Sequence, residues 1–239
     1  MDRDLFETIA ENYGNVASWA VWADAGIKPK SNMGNVDIFD LDINPSLLGM
    51  LKTNVVMVGL NISRSITYLE NFKNFHDSSP FANDFKIRYA FKDTQFYGAY
   101  MTDVIKNLEM TDSRNIVELL KKRPDIVEAN IRIFRQELAD IRANEPIILA
   151  FGSDTFELLK KSLKSNEYTK LVKLTHYSHQ ISKEEYKKVV EKQLFELTQT
   201  AKTFLDSVEK GIADVESGRT QTTSELRKAL QARRSAGNQ

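Results

Sequence analysis

Four short apolar runs constrain the fold of this chain more than any other feature. Each run ends at turn or capping residues, and longer stretches with helical spacing separate them. The runs are NVVMVGLN (54–61), GAYMTDVI (98–105), PIILAFG (146–152) and KLVKLTHYS (170–178). Continuous rather than alternating apolar character is typical of strands buried on both faces, as in a parallel sheet. We therefore predict an α/β fold, a three-layer α/β/α sandwich with a mostly parallel four-stranded central sheet.

Helical spacing is clearest between the second and third runs, where apolar residues recur at intervals of four and three. This stripe consists of Val127, Ile131, Phe134, Leu138 and Ile141. Pro124 stands where a proline in the first turn of that helix would stand. Asp154 with Glu157, and Ser182 with Glu185, have the spacing of capping boxes for two later helices.

The two ends of the chain differ from its middle. Residues 3–25 are predicted to form a helix, and 28–50 a loop with a short helical turn. We divide the chain into an N-terminal helix and loop that pack on the core (1–50), an α/β domain (51–209) and a helical, partly flexible tail (210–239). A solvated tail and a tail that binds a protein partner both fit the last segment.

Composition excludes several classes of protein. None of the 239 residues is cysteine, which excludes disulfides and thiolate metal sites and fits a reducing compartment. The 33 basic residues balance the 33 acidic ones, so bulk charge does not favour nucleic acid, although a local basic groove remains open. The apolar runs are shorter than the roughly 20 residues of a membrane helix. We predict a cytoplasmic protein with no membrane association, metal or cofactor.

Polar side chains stand at the ends of all four predicted strands. In open parallel sheets, ligands bind beyond the carboxyl ends of the strands. Asn61 ends the first run, Asp103 lies in the second, Ser153 follows the third, and the tetrapeptide 176–179 (HYSH) ends the fourth. His76, the third histidine of the chain, follows the first run. These residues are the candidates for a binding or catalytic site.

The order of these elements resembles the uracil-DNA glycosylase superfamily. Branches of that superfamily carry G-x-N-P-G after the first core strand and H-P-S-P after the last. This chain has Gly59-Leu60-Asn61-Ile62-Ser63 and His176-Tyr177-Ser178-His179. Its second run, YMTDVIK, is similar to the Y-I-T-N-x-V-K run of another branch, and ILAFGSDTFELL has the usual strand, glycine, small residue and helix. The resemblance spans about residues 50–200.

The resemblance implies a DNA glycosylase-like enzyme that hydrolyses the N-glycosidic bond of a flipped-out base. Asn61 would orient and activate a water against the sugar C1′, and His176 would donate a hydrogen bond to the departing base. Phe75, with Phe72 as the other candidate, would stack on the base, and Tyr177, Gln180 or Ile181 would intercalate into the strand. Further substrate-binding residues would be Gly59, Leu60, Ser63, His76, Asp103, Ser153, Tyr177, Ser178 and His179.

The chain also departs from the motifs of the superfamily. Tyr177 and His179 replace both prolines of H-P-S-P, and Ile62-Ser63 replaces the Pro-Gly that follows the asparagine. Asp103 stands where the uracil enzymes have an asparagine that reads the base. An ionised aspartate only accepts hydrogen bonds, so it would repel O4 of uracil and suit an amino or imino donor. The predicted substrate is therefore a base that need not be uracil.

Each candidate also has a purely structural explanation. Asn61 would cap the next helix, Asp103 would pair with Lys106 or Arg88, and His176 would bond a backbone carbonyl. Two other functions remain open for the whole chain. One is a catalytically inactive protein on the same fold that binds a nucleotide or nucleic acid, and the other is an interaction partner that acts through its C-terminal helices.

Overall fold

The computed structural model describes residues 1–62, 70–106, 108 and 113–216. The strands are β1 (Ser18–Trp19), β2 (Lys52–Asn61), β3 (Ala99–Ile105), β4 (Ile147–Phe151) and β5 (Lys170–Leu174). The helices are α1 (Arg3–Tyr13), α2 (Leu47–Met50), α3 (Asp84–Phe91), α4 (Ser113–Lys122), α5 (Pro124–Asp140), α6 (Ser153–Ser162) and α7 (Lys183–Glu216), with a 3₁₀ turn at Asp37–Phe39. Ser63, the predicted helix start after it and the predicted end of the tail lie outside the described residues.

The strands form one sheet in the order β1-β3-β2-β4-β5. Neighbouring pairs among β2, β3, β4 and β5 are parallel, and β1 runs antiparallel to β3 at the edge. The predicted α/β class with a mostly parallel sheet is confirmed. The predicted number of four strands is wrong, because the sheet has a fifth, two-residue strand near the N-terminus.

The fifth strand also corrects the helix predicted over residues 3–25. Helix α1 stops at its eleventh residue, and the chain then runs alongside β3. Ala20 N donates to Ala99 O at 2.8 Å, and the buried Trp19 ring packs edge-on against Tyr100 at 4.9 Å. These partners lie some eighty residues away, so local apolar spacing could not distinguish this short strand from a helix.

The sequence signals for helix starts are confirmed for α5, confirmed in half for α7 and wrong for α6. Pro124 is the first residue of α5, as predicted. Ser182 Oγ accepts a hydrogen bond from Glu185 N at 3.1 Å, which is one half of the predicted capping box before α7. The predicted cap at Asp154 is wrong, because α6 begins one residue earlier at Ser153 and its N-cap glycine has no side chain.

The two faces of β3 meet different partners. On one face, the Glu137 side chain of α5 accepts hydrogen bonds from Tyr100 OH and Thr102 Oγ1, each at 2.8 Å. On the other face, Asp103 meets Asn74 in the loop after β2. Alternation along a strand sends neighbouring side chains to opposite faces, which places Asp103 opposite Thr102.

The chain divides into two compact units, residues 1–193 and 194–239. The first unit holds the whole sheet, and its hydrophobic core includes the N-terminal residues Phe6 and Ile9. The described part of the second unit is residues 194–216 of α7. The predicted boundary at 209/210 remains a prediction. Among the described helices, none combines the length and apolar character needed to cross a membrane.

Candidate active site at the strand ends

The order of the strands places a topological switch point between β2 and β4. From β2 the chain moves to β3 on one side, and it then crosses over to β4 on the other side. In such sheets the crevice at the carboxyl ends of the two diverging strands is the usual ligand site. Asn61, the last residue of β2, lies half-buried at this edge, and its Nδ2 donates to Ile62 O at 3.1 Å.

His176 lies at the same edge, two residues after the end of β5. A Cβ atom placed on Gly152, which follows β4 with φ +87°, would lie 3.6 Å from His176 Cβ and Cδ2. The imidazole therefore packs on the turn between β4 and α6. Its other side stacks on Tyr177, with ring centroids 4.4 Å apart, and Tyr177 meets Phe151 edge-on. The ring is held by packing before any ligand binds.

Hydrogen bonds fix the tautomer of His176. The backbone N–H of Ser178 lies 3.2 Å from Nδ1, and Ser178 Oγ lies 2.8 Å from the same atom. A backbone N–H can only donate, so Nδ1 is an acceptor and the proton of the neutral ring lies on Nε2. Burial lowers the pKa of His176 to about 4, so the ring is neutral near pH 7. His176 is thus a neutral, oriented N–H donor.

Asp103 is a buried carboxyl group with a perturbed pKa. It is only 3% exposed, and its Oδ2 accepts a hydrogen bond from Asn74 Nδ2 at 2.9 Å. Burial raises its pKa to about 6, against the opposing effects of the Asn74 hydrogen bond and the charge of Lys106. A buried carboxyl group with a perturbed pKa is a candidate functional residue.

The alternative prediction that Asp103 pairs with a cation is wrong. Lys106 Nζ instead forms an ion pair with Glu137 Oε2 at 2.7 Å and donates to the backbone oxygen of Asp103. The guanidinium of Arg88 donates to three backbone carbonyls in the loop before β2. Among the residues that the structure describes, the buried Asp103 carboxyl group therefore has no direct ion pair.

Gly59, Phe75 and Asp103 lie close together, and their contact with a substrate remains a prediction. Gly59 pairs with Asp103 across the two strands, and a Cβ atom on Gly59 would lie 2.1 Å from Asp103 Oδ1. The same Cβ atom would lie 3.5 Å from Phe75 Cζ. A side chain at position 59 would therefore overlap with the carboxyl group of Asp103, and glycine avoids this overlap. Phe75 is only 2% exposed, so the surrounding chain covers its ring.

The loop residues around Phe75 are held by the N-terminal segment. Phe72 and Phe75 both have positive φ, 62° and 61°, a conformation that costs a non-glycine residue free energy and persists only when surrounding contacts impose it. Those contacts come from residues 16–22, which we call the clamp segment. Its hydrogen bonds join Val16 O to Asn74 Nδ2 (2.9 Å), Ser18 Oγ to Phe72 O (2.8 Å), Val21 O to His76 Nε2 (2.9 Å) and Trp22 Nε1 to Phe75 O (3.2 Å).

Phe72 and His76, two other candidate residues of this loop, make contacts that support the fold. Phe72 packs against Phe6 and Phe39, with ring centroids 5.4 and 5.1 Å away, and belongs to the hydrophobic core. His76 is fully buried. In addition to its hydrogen bond with the clamp segment, its Nδ1 lies 2.9 Å from Asn74 O. The ring of His76 supports the loop, and its contact with a ligand remains a prediction.

The remaining candidates flank the strand ends. Leu60 is buried in the core below Asn61. Ser153 is exposed at the first turn of α6, and Ser178 and His179 are exposed after β5. Lys86 Nζ donates to His179 O at 2.8 Å, which joins α3 to this loop. These residues border the site, and their contacts with a substrate remain predictions.

Asn74 and Glu137 make buried contacts near the site that the sequence analysis did not anticipate. Asn74 lies in a polar loop with no periodic pattern, and its partner Asp103 is 29 residues away. Glu137 gave a usable signal, because it lies three residues after Phe134 and so shares the buried side of α5. A charged residue within a buried stripe indicates a buried partner.

A cavity lies away from these strand ends. It has a volume of about 600 Å³ between α4, α5 and α6, and none of Asn61, Asp103 and His176 lines it. Apolar side chains, including Leu60 and Ile131, form most of its wall. Within the described part of the chain, no group of three acidic, histidine or cysteine side chains is placed to hold a metal ion.

Comparison with the models of known protein families, with curated proteins and with solved structures found no match to this chain. The function therefore has to be inferred from the site itself.

Proposed function

We propose that this protein hydrolyses the N-glycosidic bond of a base flipped out of DNA, on a three-layer α/β/α sandwich of the uracil-DNA glycosylase type. The observation that carries the proposal is the state of His176. Its ring is neutral, and its proton lies on Nε2 because Ser178 occupies Nδ1. Cleavage of a glycosidic bond leaves negative charge on the departing base, and a fixed neutral donor stabilises that charge as it develops.

Asn61 would serve the other side of the reaction. It ends β2 at the switch point, β4 is the next strand in the sheet, and His176, which follows β5, packs on the turn after β4. In this proposal the two side chains flank one sugar and base at this edge of the sheet. In this role the amide oxygen of Asn61 would accept a hydrogen bond from a water and direct it toward C1′.

The group of Gly59, Phe75 and Asp103 would hold the flipped base. An aromatic ring offers a face on which any base stacks, and the buried carboxyl group offers a polar partner for one edge. The buried state of Phe75 implies that the site opens when a base enters, which fits an enzyme that acts on extruded nucleotides.

Base release from synthetic oligonucleotides tests this proposal. The panel contains uracil, hypoxanthine, xanthine, cytosine, modified cytosines and adenine, in single-stranded and duplex DNA. We expect release of at least one base, and a loss of about 10²- to 10³-fold in rate for His176→Ala and for Asn61→Ala. The matched control is Asn166→Ala, since Asn166 is exposed before the opposite, amino end of β5.

Release of no base by a folded protein would refute the hydrolytic function. In that case nucleosides at millimolar concentration distinguish a binding protein from an unrelated one, because a ligand that binds only the folded state raises the melting temperature. Stabilisation without release would identify a site that binds a base and no longer hydrolyses its bond.

A further inference from the structure

The side chain of His76 meets an oxygen acceptor at each of its two ring nitrogens. Nε2 lies 2.9 Å from Val21 O in the clamp segment, and Nδ1 lies 2.9 Å from Asn74 O. A backbone carbonyl oxygen can only accept a hydrogen bond, so each contact requires a proton on the ring nitrogen. A neutral imidazole carries one ring proton and can donate to only one of the two carbonyls. Both contacts together are satisfied only by the doubly protonated, positively charged ring.

Ser18 in the clamp segment fits the charged form of this ring. Its Oγ lies 2.8 Å from Phe72 O, which is another acceptor, and 3.1 Å from His76 Nδ1. When the ring is charged, the single hydroxyl proton of Ser18 goes to Phe72 O, and Oγ accepts from Nδ1. The carbonyl oxygens of Val21, Phe72 and Asn74 then each receive a donor.

Loss of the proton on Nδ1 would change two hydrogen bonds at once. The Ser18 hydroxyl can then turn from Phe72 O to the bare nitrogen, which leaves Phe72 O and Asn74 O without these donors. Both residues are buried, and a buried carbonyl that loses its donor costs the folded state free energy. One proton therefore controls how firmly the clamp segment holds the loop at residues 72–76.

Aromatic contacts favour a charge on His76, although the burial of the ring opposes it. A buried charge persists when it is fully hydrogen-bonded and has further compensating contacts. The oxygen acceptors supply the first of these conditions. The indole of Trp22 supplies another contact, because it stacks on the imidazole with centroids 5.5 Å apart, and the face of an indole attracts a cation.

Charged side chains on the elements around His76 are acidic more often than basic. The clamp segment contributes none, since residues 16–22 contain no ionisable side chain. The basic groups are Lys73, which pairs with Glu70 and donates to Gly34 O, and Lys86 and Arg88 of α3, which donate to backbone oxygens. The other carboxyl groups are Asp77, Asp84 of α3, which accepts from Asp77 N, Asp103 of β3, which is joined through Asn74, and Asp37 of the 3₁₀ turn whose Phe39 ring meets His76 edge-on. This balance favours the protonated ring.

We propose that His76 is an imidazolium ion near neutral pH and forms, with Ser18, a pH-dependent latch between the clamp segment and the loop at residues 72–76. Deprotonation at alkaline pH opens this latch and loosens the loop that carries Asn74 and Phe75. An unfolded chain releases the histidine proton near pH 6.5, whereas the folded chain retains it. The latch therefore contributes stability that is complete below that pH and is lost as the folded ring deprotonates. The latch is a property of the fold and does not require the proposed hydrolysis.

Nuclear magnetic resonance of the ring nitrogens reports the charge of His76 directly. In long-range ¹H–¹⁵N spectra of the full-length protein, a charged ring has two nitrogens with similar shifts, and a neutral ring has two nitrogens with very different shifts. The chain has three histidines, and the variants His76→Gln and His179→Gln assign their signals. At pH 7.5 we expect a charged His76 and a neutral His176 with its proton on Nε2. A neutral His76 at this pH would overturn the proposal.

Urea unfolding between pH 6 and pH 9 measures the contribution of the latch to stability. The ratio of the folding equilibrium constants, wild type over His76→Gln, should fall by about fivefold or more over this range, because a ring still charged at pH 7.5 retains its proton at least about one pH unit above free histidine. The control is His179→Gln, at an exposed position, which should leave the ratio constant within about twofold. A ratio that is also constant for His76→Gln would contradict the proposal.

Hydrogen exchange in the wild-type protein tests the opening of the loop, and it decides the matter if His76→Gln does not fold. Phe72 N donates to Gly14 O at 2.6 Å, and His76 N donates to Lys73 O at 3.1 Å. The protection factors of these two amides should fall by about three- to tenfold from pH 7 to pH 9.5 relative to those of α5, which is the worth of one hydrogen bond. Constant relative protection across the range in which His76 loses its proton would refute the latch.

Discussion

The buried charge of Asp103 should destabilise the folded protein near neutral pH, and its removal should therefore be stabilising. Asp103→Asn keeps the shape of the side chain and a carbonyl oxygen that accepts from Asn74. Burial raises the pKa of Asp103 from 3.8 to about 6. Each pKa unit corresponds to about 1.4 kcal/mol, so ionisation of Asp103 costs the folded state about 3 kcal/mol above pH 7. The variant avoids that cost.

The dependence on pH gives the prediction its sign. As pH rises from 4 to 6, the unfolded chain loses the proton of Asp103 before the folded protein does, so the wild-type free energy of unfolding falls. Asparagine does not titrate. The stability gained by Asp103→Asn should therefore be about 2 kcal/mol larger at pH 7.5 than at pH 4.5.

Urea unfolding of the wild type and the variant at both pH values measures this difference. Asp42→Asn, a change of the same type at an exposed position, should alter the free energy of unfolding by no more than about 0.5 kcal/mol at either pH. A variant that is less stable than the wild type at pH 7.5, or equally stabilised at both pH values, would refute the argument that Asp103 is ionised at a cost.

Two further substitutions test the packing around the site. Gly59→Ala places a methyl group 2.1 Å from Asp103 Oδ1, and this overpacking should cost about 1–3 kcal/mol in urea unfolding. Gly49→Ala is its control, because nothing lies within 4 Å of that Cβ atom, and the helix should gain up to about 1 kcal/mol. Glu137→Gln leaves its buried lysine partner unpaired and should cost about 3–5 kcal/mol. Asp125→Asn, in an exposed ion pair, should cost less than about 1 kcal/mol, and similar losses for these two carboxylates would contradict the role of burial.

The parallel part of the sheet was predictable because its signal is local. Each strand from β2 to β5 carries its own run of apolar residues, and the ends of these strands lie within two residues of the predicted bounds, except that β5 ends four residues earlier than predicted. Strand β1 carries no such signal. Its two residues become a strand only because backbone groups of β3 are available at the sheet edge, and that availability is a property of the folded sheet.

The candidate site also contains residues that the sequence indicates and residues whose role depends on the folded structure. The sequence placed Gly59 and Asp103 on two strands of one sheet, but their pairing depends on the register of these strands, which strand order does not determine. Asn74 could not be found in that way, because a loop asparagine acquires its role only when the loop is folded against β3. The tautomer of His176 was equally hidden, since it depends on how the chain turns at Ser178.

The contacts of the clamp segment determine how far the protein can be shortened from its N-terminal side without disturbing the candidate site. Residues 16–22 lie outside the α/β domain predicted from residue 51, yet they hold the loop that carries Asn74 and Phe75. A fragment that begins at residue 51 would keep every strand of the parallel sheet and lose the contacts that impose two positive φ angles. Part of the first fifty residues therefore belongs to the folded unit that holds the candidate site. A substitution in residues 16–22 should disturb the loop at residues 72–76.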